Sequence, residues 1–306
     1  MKIAIAQFNG ITYAVEEELR RRGHEVENII KDQKHLKTFD RVVTWNEVHQ
    51  YGNEKVLEEV NRIGIPTVLL QHGRRGTSRI YPPFNEHLIC KEVCVWSEND
   101  KKRLMSVGTP EDRIHVTGTP IFETLKPRVP HKGINVVFSP EHWGEEVAEN
   151  SMVAGMLRRL KGVNVITKAI KNEHFLPQYD NVVLSDRQSP EHLGIVADVL
   201  STADVVVAVS ESTFELCAQI LDIPVVIADI WQKKACLGDE RYKEFALEYS
   251  NACDRVKDLK DLPDRIMYAI KHPEHLRKER AQIAIDDGGI NLTNPAARIC
   301  DVIENA

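Results

Sequence analysis

The chain has 306 residues, which exceeds the size of one ordinary hydrophobic core and fits two domains. Its 42% hydrophobic and 28% charged residues are typical of a globular protein, and a net charge of −6 argues against a large nucleic-acid-binding surface. No apolar run approaches the roughly 20 residues that a membrane-spanning helix needs. The six cysteines form no C-x-x-C pair, so we expect reduced thiols and a cytoplasmic protein.

Short apolar, β-branched segments alternate with amphipathic segments along the chain. Ten of the apolar segments are predicted to be strands: KIAIAQ, DRVVTW, PTVLLQ, VCVWS, IHVTG, INVVFS, VNVITK, NVVLS, DVVVAV and PVVIAD. Because they are apolar on both faces, they are typical of parallel strands covered by helices. The first three amphipathic segments are predicted to be helices that end at Gly23, Gly64 and Gly108. This alternation predicts a doubly wound α/β architecture.

The strand–helix alternation occurs twice. One series runs to Pro120 and a second starts at Ile134, and the segment LKPRVPHKG between them has two prolines and little apolar content. We therefore predict a Rossmann-like domain over residues 1–125, a linker over 126–133, and a second Rossmann-like domain over 134–306 with a terminal helix. The two domains are expected to face a cleft.

Three hydroxyl residues stand where one strand becomes a helix, in VVVAVSESTFELCAQILDIPVVIAD. Ser210, Ser212 and Thr213 follow the apolar run, and a helical pattern begins after them. The helix N-terminus would point free N–H groups and its positive dipole end toward the carboxyl edge of the sheet, which suits a phosphate. Ser212 and Glu215 also form the S-x-x-E pattern of a capping box, so helix capping and phosphate binding both remain open.

A second group of candidate residues lies in PTVLLQHGRRGTSRIYPP. His72 follows a predicted strand end, and an imidazole there can accept a proton from a hydroxyl near neutral pH. Arg74, Arg75 and Arg79 add positive charge that would clamp an anionic acceptor or donor. The alternatives are a structural histidine and a solvated arginine loop.

These segments, in this order, resemble the GT-B glycosyltransferase superfamily, and most closely the CDP-glycerol glycerophosphotransferases and UDP-N-acetylglucosamine 2-epimerases. QHGRRGT resembles the family's strand-then-HGT segment, and VCVWSENDKKRLMSVGTPEDRIHVTGTPIFETL resembles the stretch that follows it. ADVVVAVSESTFELCAQILDIPVVIAD resembles the segment that holds the donor phosphates, and DDGGINLTNPAARICDVIE the terminal helix. Ser210 stands where the family usually has an aspartate, and the stretch around Lys168 lacks the family's His-Pro.

The resemblance implies a transferase that moves a sugar or glycerophosphate from a nucleotide-activated donor to an acceptor hydroxyl. The position of the family base falls on His72, and the family's serine pair falls on Ser212 and Thr213. Lys168 could add a charge at the donor phosphates, and Glu215 could contact a ribose. The first domain would then bind the acceptor and the second a UDP- or CDP-linked donor.

His142 follows the first strand of the second domain, in FSPEHWGEE. It could line the donor pocket, and a surface turn is the alternative. No D-x-D pattern stands near a predicted strand end, so we expect a metal-independent transfer with the helix dipole in place of a cation, and no cofactor.

Three other functions remain open. A phage-type DNA glycosyltransferase would act on a hydroxylated base, and its DNA would meet Arg74, Arg75 and Arg79. A 2-epimerase-like isomerase would need acids, for which Glu98, Asp186 and Asp229 are candidates. A non-catalytic nucleotide-sugar binding module would bind the ligand without turnover.

Overall fold

A computed structural model gives the fold of the chain. It describes residues 1–6, 10–28, 33–45, 53–71, 73, 88–106, 108–140, 147–170, 179, 181–186, 188–209, 211–229 and 251–306. The chain forms two compact units, one with the described residues up to Glu123 together with Ile285–Ala306, the other with Thr124–Ala284. None of the described helices is long and apolar enough to cross a membrane. The five cysteines in the described residues are buried free thiols.

The first unit is built on a six-stranded parallel sheet with the order β2-β1-β3-β4-β5-β6. Its strands are β1 (Lys2–Ile5), β2 (Glu25–Asn28), β3 (Arg41–Thr44), β4 (Thr67–Leu70), β5 (Glu92–Val95) and β6 (Ile114–Val116). Among the described residues up to Glu123, the helices of this unit are α1 (Gly10–Arg21), α2 (Asn53–Arg62) and α3 (Glu98–Ser106).

The second unit contains another six-stranded parallel sheet, with the order β12-β11-β10-β7-β8-β9. Its strands are β7 (Ile134–Ser139), β8 (Val163–Ile170), β9 (Val182–Ser185), β10 (Val205–Ala208), β11 (Val225–Ala228) and β12 (Asp254–Val256). The later helices are α4 (Val147–Leu157), α5 (His192–Ser201), α6 (Thr213–Ile220), α7 (Leu262–Lys271), α8 (Arg277–Asp286) and α9 (Pro295–Asn305). The predicted pair of Rossmann-like α/β domains is confirmed.

All ten strands predicted from the sequence are present, and two further strands were not predicted. The missed strands, β2 and β12, each lie at one edge of their sheet, while β6 and β9 at the opposite edges were predicted. EVEN has glutamates at alternate positions and DRV begins with two charged residues, so neither sequence forms an apolar run. An outer strand has one neighbour and is less enclosed, so the apolar signal used for prediction is weak there.

Helix α2 buries its apolar residues in the core of the first unit. Leu57 and Val60, three positions apart, are fully buried in a core that also includes Leu69 of β4. The helix ends at Gly64, whose φ of +83° is cheap only for glycine. There Ile65 N–H donates to the carbonyl of Val60 at 3.1 Å, which satisfies a free carbonyl of the last turn.

The terminal helix requires a correction. It begins at Pro295 as predicted, but it was assigned to a second domain over 134–306, whereas Ile285–Ala306 belongs to the first unit. α9 packs on α1, and Arg22 donates to Asp301 and Glu304 at 2.7 Å each. The prediction assigned this helix to a domain by its position along the chain. Tertiary contacts decide which unit a segment joins, and a chain position does not report them.

The segment predicted to be a linker is bonded to the second unit. Val129 N–H donates to the Ser201 carbonyl at 2.8 Å, and Arg128 pairs with Asp204 at 2.9 Å. His131 Nε2 lies 2.9 Å from the other carboxylate oxygen of Asp204. The basic side chains of this segment therefore bond to an acidic residue of the second unit.

Candidate functional site

The strand order of the second sheet reverses between β7 and β10. β8 and β9 lie on one side of this pair, and β11 and β12 lie on the other. The register pairs Ser139 with Ala208 at the carboxyl ends of the two strands. Loops leave such a pair toward opposite faces and create a crevice, the usual ligand position in open parallel sheets. Ser212 and Thr213, after β10, are therefore at the position where a ligand is expected.

Ser212 caps helix α6. Its Oγ accepts a hydrogen bond from Phe214 N–H at 3.2 Å, and the Glu215 carboxylate accepts one from Ser212 N–H at 2.7 Å. The Ser212 hydroxyl donates to the same Glu215 oxygen, Oε2, at 2.5 Å. The capping box is therefore present, and Ser212 has a structural role at the start of the helix.

A carboxylate that contacts a ribose is expected to face the solvent, and Glu215 does not. Its side chain is buried, and Oε2 is occupied by the two bonds from Ser212. Oε1 is also buried and has no hydrogen-bond partner among the described residues. Burial raises the pKa of Glu215, and hydrogen bonds from Ser212 oppose that shift. The capping contact uses one oxygen and leaves the other for a further partner.

Lys168 reaches the first turn of α6 although it is on β8, two strands away from β10. Its side chain is buried, and Nζ lies 6.0 Å from the centre of the Phe214 ring. Nζ also donates to the carbonyl of Ala169 at 3.4 Å. The structure thus places the Lys168 ammonium beside Phe214 in the first turn of α6, where its charge adds to the positive end of the helix dipole.

Each of the three acids considered for an epimerase has its own local environment. Asp229, at the carboxyl end of β11, is buried and pairs with Arg255 at 2.6 Å. Asp186 accepts a backbone hydrogen bond from Gln188 at 2.9 Å in a turn after β9. Glu98 is exposed in the first turn of α3, in the first unit.

In the first unit, the end of β4 carries a group of hydrogen bonds that the sequence did not reveal. Gln71 is buried, and its side-chain Oε1 accepts from Trp96 N–H at 3.0 Å. Trp96 Nε1–H donates to the Gln71 carbonyl at 2.9 Å, and Gln71 Nε2 donates to the Gly73 carbonyl at 3.1 Å. These bonds fix the residues on either side of the predicted base.

Several predicted site residues lie outside the described residues. They are His72, Arg74, Arg75, Arg79, His142 and Ser210. In the part of the chain that is described, no group of three or more His, Cys, Asp or Glu side chains could hold a metal ion.

No family model matches the sequence, and no curated protein matches it. Solved structures do match. A variant of the wall teichoic acid polymerase TagF, with CDPG, is 11% identical with a TM-score of 0.69, over 100% of this chain and 88% of that one. The UDP-GlcNAc 2-epimerase of Neisseria meningitidis, bound to UDP-GlcNAc, is 15% identical with a TM-score of 0.66, over all of both chains.

A third match is HepE (Alr3699) of Anabaena in complex with UDP-glucose. It is 10% identical with a TM-score of 0.55, over all of both chains. At these identities the similarity establishes the fold. The chain has the GT-B fold, with two Rossmann-like domains.

Proposed function

We propose that this chain is a transferase that moves a sugar or a glycerophosphate group from a nucleotide-activated donor to an acceptor hydroxyl. One observation carries the proposal: Ser212 and Thr213 begin α6 at the strand reversal of the second sheet, and Lys168 Nζ lies 6.0 Å from the Phe214 ring in the first turn of that helix. A helix N-terminus and a lysine together favour an anionic ligand. The three matched structures carry CDPG, UDP-GlcNAc and UDP-glucose, which are ligands of that kind.

On the donor side, the N-terminus of α6 and Lys168 would stabilise the negative charge that develops on the leaving nucleotide. Thr213, the first residue of α6, would contribute a hydroxyl to the phosphates. Ser212 would contribute its backbone position, because its hydroxyl is already bonded to Glu215. The buried Oε1 of Glu215 would accept a hydrogen bond from a donor hydroxyl.

On the acceptor side, His72 would act as the general base. The acceptor oxygen forms the new bond to the transferred group while its proton passes to the imidazole. The bond from that group to the nucleotide breaks, and the nucleotide leaves with the electron pair. Arg74, Arg75 and Arg79 would bind an anionic acceptor.

The Asp229–Arg255 ion pair favours the transferase over the 2-epimerase. An epimerase must remove and return protons on the sugar, which requires acids and bases that can change protonation. Asp229 is buried and its carboxylate is already bonded to Arg255, so it is not presented to a sugar as such an acid or base.

A ligand screen followed by an acceptor test examines the proposal. The melting temperature is measured with CDP-glycerol, UDP-GlcNAc, UDP-glucose, and GDP- and dTDP-linked sugars, because a ligand that binds the folded state raises it. Each stabilising donor is then incubated with and without hydroxyl acceptors, including DNA with a hydroxymethylated base. We expect nucleotide release that requires an acceptor.

Each other outcome contradicts the transferase. Conversion of UDP-GlcNAc alone to its 2-epimer would identify an isomerase. Donor binding without turnover on any acceptor would identify a binding module.

A further inference from the structure

We propose that an anionic ligand binds at the N-terminus of α6 together with one proton, which the Glu215 carboxylate accepts. The inference rests on the proposed function, because it concerns the donor side of that site. It adds regulation by pH: the affinity for a nucleotide-activated donor rises as the solution becomes more acidic.

The Glu215 carboxylate is the anion that occupies this helix end in the structure. Its Oε2 accepts from the Ser212 N–H at 2.7 Å and from the Ser212 hydroxyl at 2.5 Å. These are donors at the positive end of α6, and the same end of a helix attracts phosphates. A ligand phosphate that arrives there therefore meets a negative charge that already holds two of the donors.

The surroundings of Glu215 make its charged form costly. The residue is 1% exposed, and its Oε1 has no hydrogen-bond partner among the described residues. Burial raises the pKa of Glu215, while hydrogen bonding from Ser212, from the Glu215 N–H and from the nearby Ser139 side chain opposes that shift. A second negative charge close to this carboxylate adds to the cost of ionisation and favours uptake of a proton.

The phosphates of a nucleotide-activated donor supply that second charge. Two ionised phosphates would face the Lys168 ammonium, beside Phe214, and the helix end, which is equivalent to roughly half a positive charge. With Glu215 ionised, the negative charges exceed these positive ones by about 1.5, and with Glu215 neutral by about 0.5. Because charges interact more strongly in a buried site than in water, the neutral form of Glu215 is favoured once the ligand is bound.

The structure also gives the proton a place. Ser212 Oγ, which lies 2.5 Å from Glu215 Oε2, accepts from the Phe214 N–H at 3.2 Å. A solvent proton on Oε2 reverses the bond between the two oxygens, so that the carboxylic acid donates to Ser212 Oγ. The Ser212 hydroxyl hydrogen, which the ionised form keeps with Glu215, then becomes available to a ligand phosphate. Oε1 still accepts from a donor hydroxyl, because the carbonyl oxygen of a carboxylic acid is an acceptor.

Other titratable groups around α6 are poorer candidates for this proton. Burial and the charge of Glu215 raise the pKa of Cys217, so its thiol is neutral with or without a ligand. The titratable side chains on β11 and α5, which pack on α6, are bonded to partners of their own: Asp229 to Arg255, His192 to Ser185, and Asp198 to Lys126. We therefore assign the proton to Glu215.

Titration calorimetry in two buffers of different ionisation enthalpy counts the protons that the protein takes up on binding. The probes are UDP-GlcNAc, UDP-glucose and CDP-glycerol. Their phosphates are all esterified, so they lack the ionisation at about pH 6 that a phosphate monoester has, and a proton taken up must enter the protein. The same titrations across about pH 5.5 to 8.5 give the affinity as a function of pH.

One variant and one control are compared with the wild type. Glu215→Gln keeps the size of the side chain and the capping-box pattern, which accepts glutamine at this position, but it cannot take up a proton. Glu211→Gln is the control: it removes the carboxylate next to Ser212 in the chain, which accepts from Gln219 at 2.7 Å. Urea unfolding checks that both variants are folded.

We expect the wild type to take up as much as one proton and to bind more tightly as the pH falls, by at most about tenfold per pH unit. Uptake is largest between the pKa of Glu215 without ligand and its higher pKa with ligand. Glu215→Gln should take up no proton and bind with an affinity that does not vary with pH, whereas Glu211→Gln should behave like the wild type.

Three results would overturn the inference. A wild type that takes up no proton, or that releases one, contradicts it whether or not the variants fold. A folded Glu215→Gln protein that still takes up the proton assigns that proton to another group.

Turnover separates this inference from the function on which it rests. Proton uptake that disappears in Glu215→Gln, without nucleotide release to any acceptor, would leave the inference standing and exclude the transferase. Transfer to an acceptor without proton uptake on donor binding would exclude the inference alone. If none of the three probes binds, the N-terminus of α6 is not their site and both proposals fail.

Discussion

Gly289 lies directly against the backbone carbonyl of Trp96, and a Cβ on this glycine would stand 2.1 Å from that oxygen. Its φ of +59° is in the left-handed region as well. Asp287, two residues earlier, is buried and accepts from Asn99 and Arg103 of α3 at 3.3 Å each. The C-terminal segment thus packs against the same tryptophan that holds Gln71.

Gly289→Ala should be strongly destabilising, because the methyl group must displace the Trp96 backbone. Gly64→Ala is the matched control in the same unit, since Gly64 also has a positive φ but nothing lies within 4 Å of the point that an added methyl group would occupy. We expect a loss of about 1–2 kcal/mol for Gly64→Ala, from backbone strain alone. Gly289→Ala should lose on the order of 3 kcal/mol or more in urea unfolding. Equal losses would mean that the contact with Trp96 relaxes freely.

Thr213→Val should weaken nucleotide binding by roughly 1–3 kcal/mol if its hydroxyl contacts phosphate. Ser212→Ala should instead lower the free energy of unfolding by about 1 kcal/mol, because it removes the cap of α6. Titration calorimetry with UDP-GlcNAc or CDP-glycerol, beside urea unfolding, separates the two effects. Ser201→Ala, which removes a hydroxyl bonded to the Asp198 carbonyl in the same unit, is the control. Unchanged affinity in a folded protein that carries both Ser212→Ala and Thr213→Val would restrict both hydroxyls to the helix.

His72→Ala should lower turnover by roughly 10²–10⁴-fold while donor binding changes little. The wild-type rate should fall at acid pH, because the imidazolium cannot accept a proton. In the variant, the residual rate should lack that acid limb. A folded variant with near-normal turnover at neutral pH would exclude His72 as the base and redirect the search to His142 and Glu98.

His131 should make the docking of residues 125–133 depend on pH. Its Nδ1 faces the Val129 carbonyl at 3.1 Å and its Nε2 faces the Asp204 carboxylate at 2.9 Å. Both partners only accept, so both ring nitrogens must carry protons, which is the cation. The hydrogen bond to Asp204 raises the pKa of His131 above its ordinary value of 6.5, and the positive charge of Arg128 opposes that shift.

The raised pKa of His131 decides in which direction stability changes with pH. The stabilisation is fully present below the unfolded pKa near 6.5 and is lost as pH rises through the higher folded pKa. The wild type should therefore exceed His131→Gln in stability by up to about 1 kcal/mol at pH values below about 6, and the difference should shrink on the alkaline side. Hydrogen exchange of the Val129 amide, which bonds to Ser201, should report the same change. Asp198→Asn is the control, since it removes the Lys126–Asp198 ion pair of the same segment, and that pair contains no histidine. A difference that does not vary with pH would contradict a titrating contact.

Much of the fold could be predicted because its strands are buried. Segments such as DVVVAV and PVVIAD became β10 and β11, where every residue is buried. The edge strands β2 and β12 were missed because they have no such run. Their existence depends on a neighbouring strand edge that offers hydrogen-bond partners, and a local pattern cannot report this.

The sequence by itself determined the alternation of strands and helices, the capping box at Ser212 and Glu215, and the hydroxyls at the start of α6. These are local, because they depend on residues within one or two helical turns. Tertiary structure alone decided that Lys168 reaches Phe214, that Asp229 is held by Arg255, and that Gln71 ties Trp96 to Gly73. It also placed α9 with the first unit. Most of those contacts join residues that are distant in sequence or on different strands. They form because parallel strands bring their carboxyl ends to one edge of the sheet. Burial there favours polar groups that find hydrogen-bond partners.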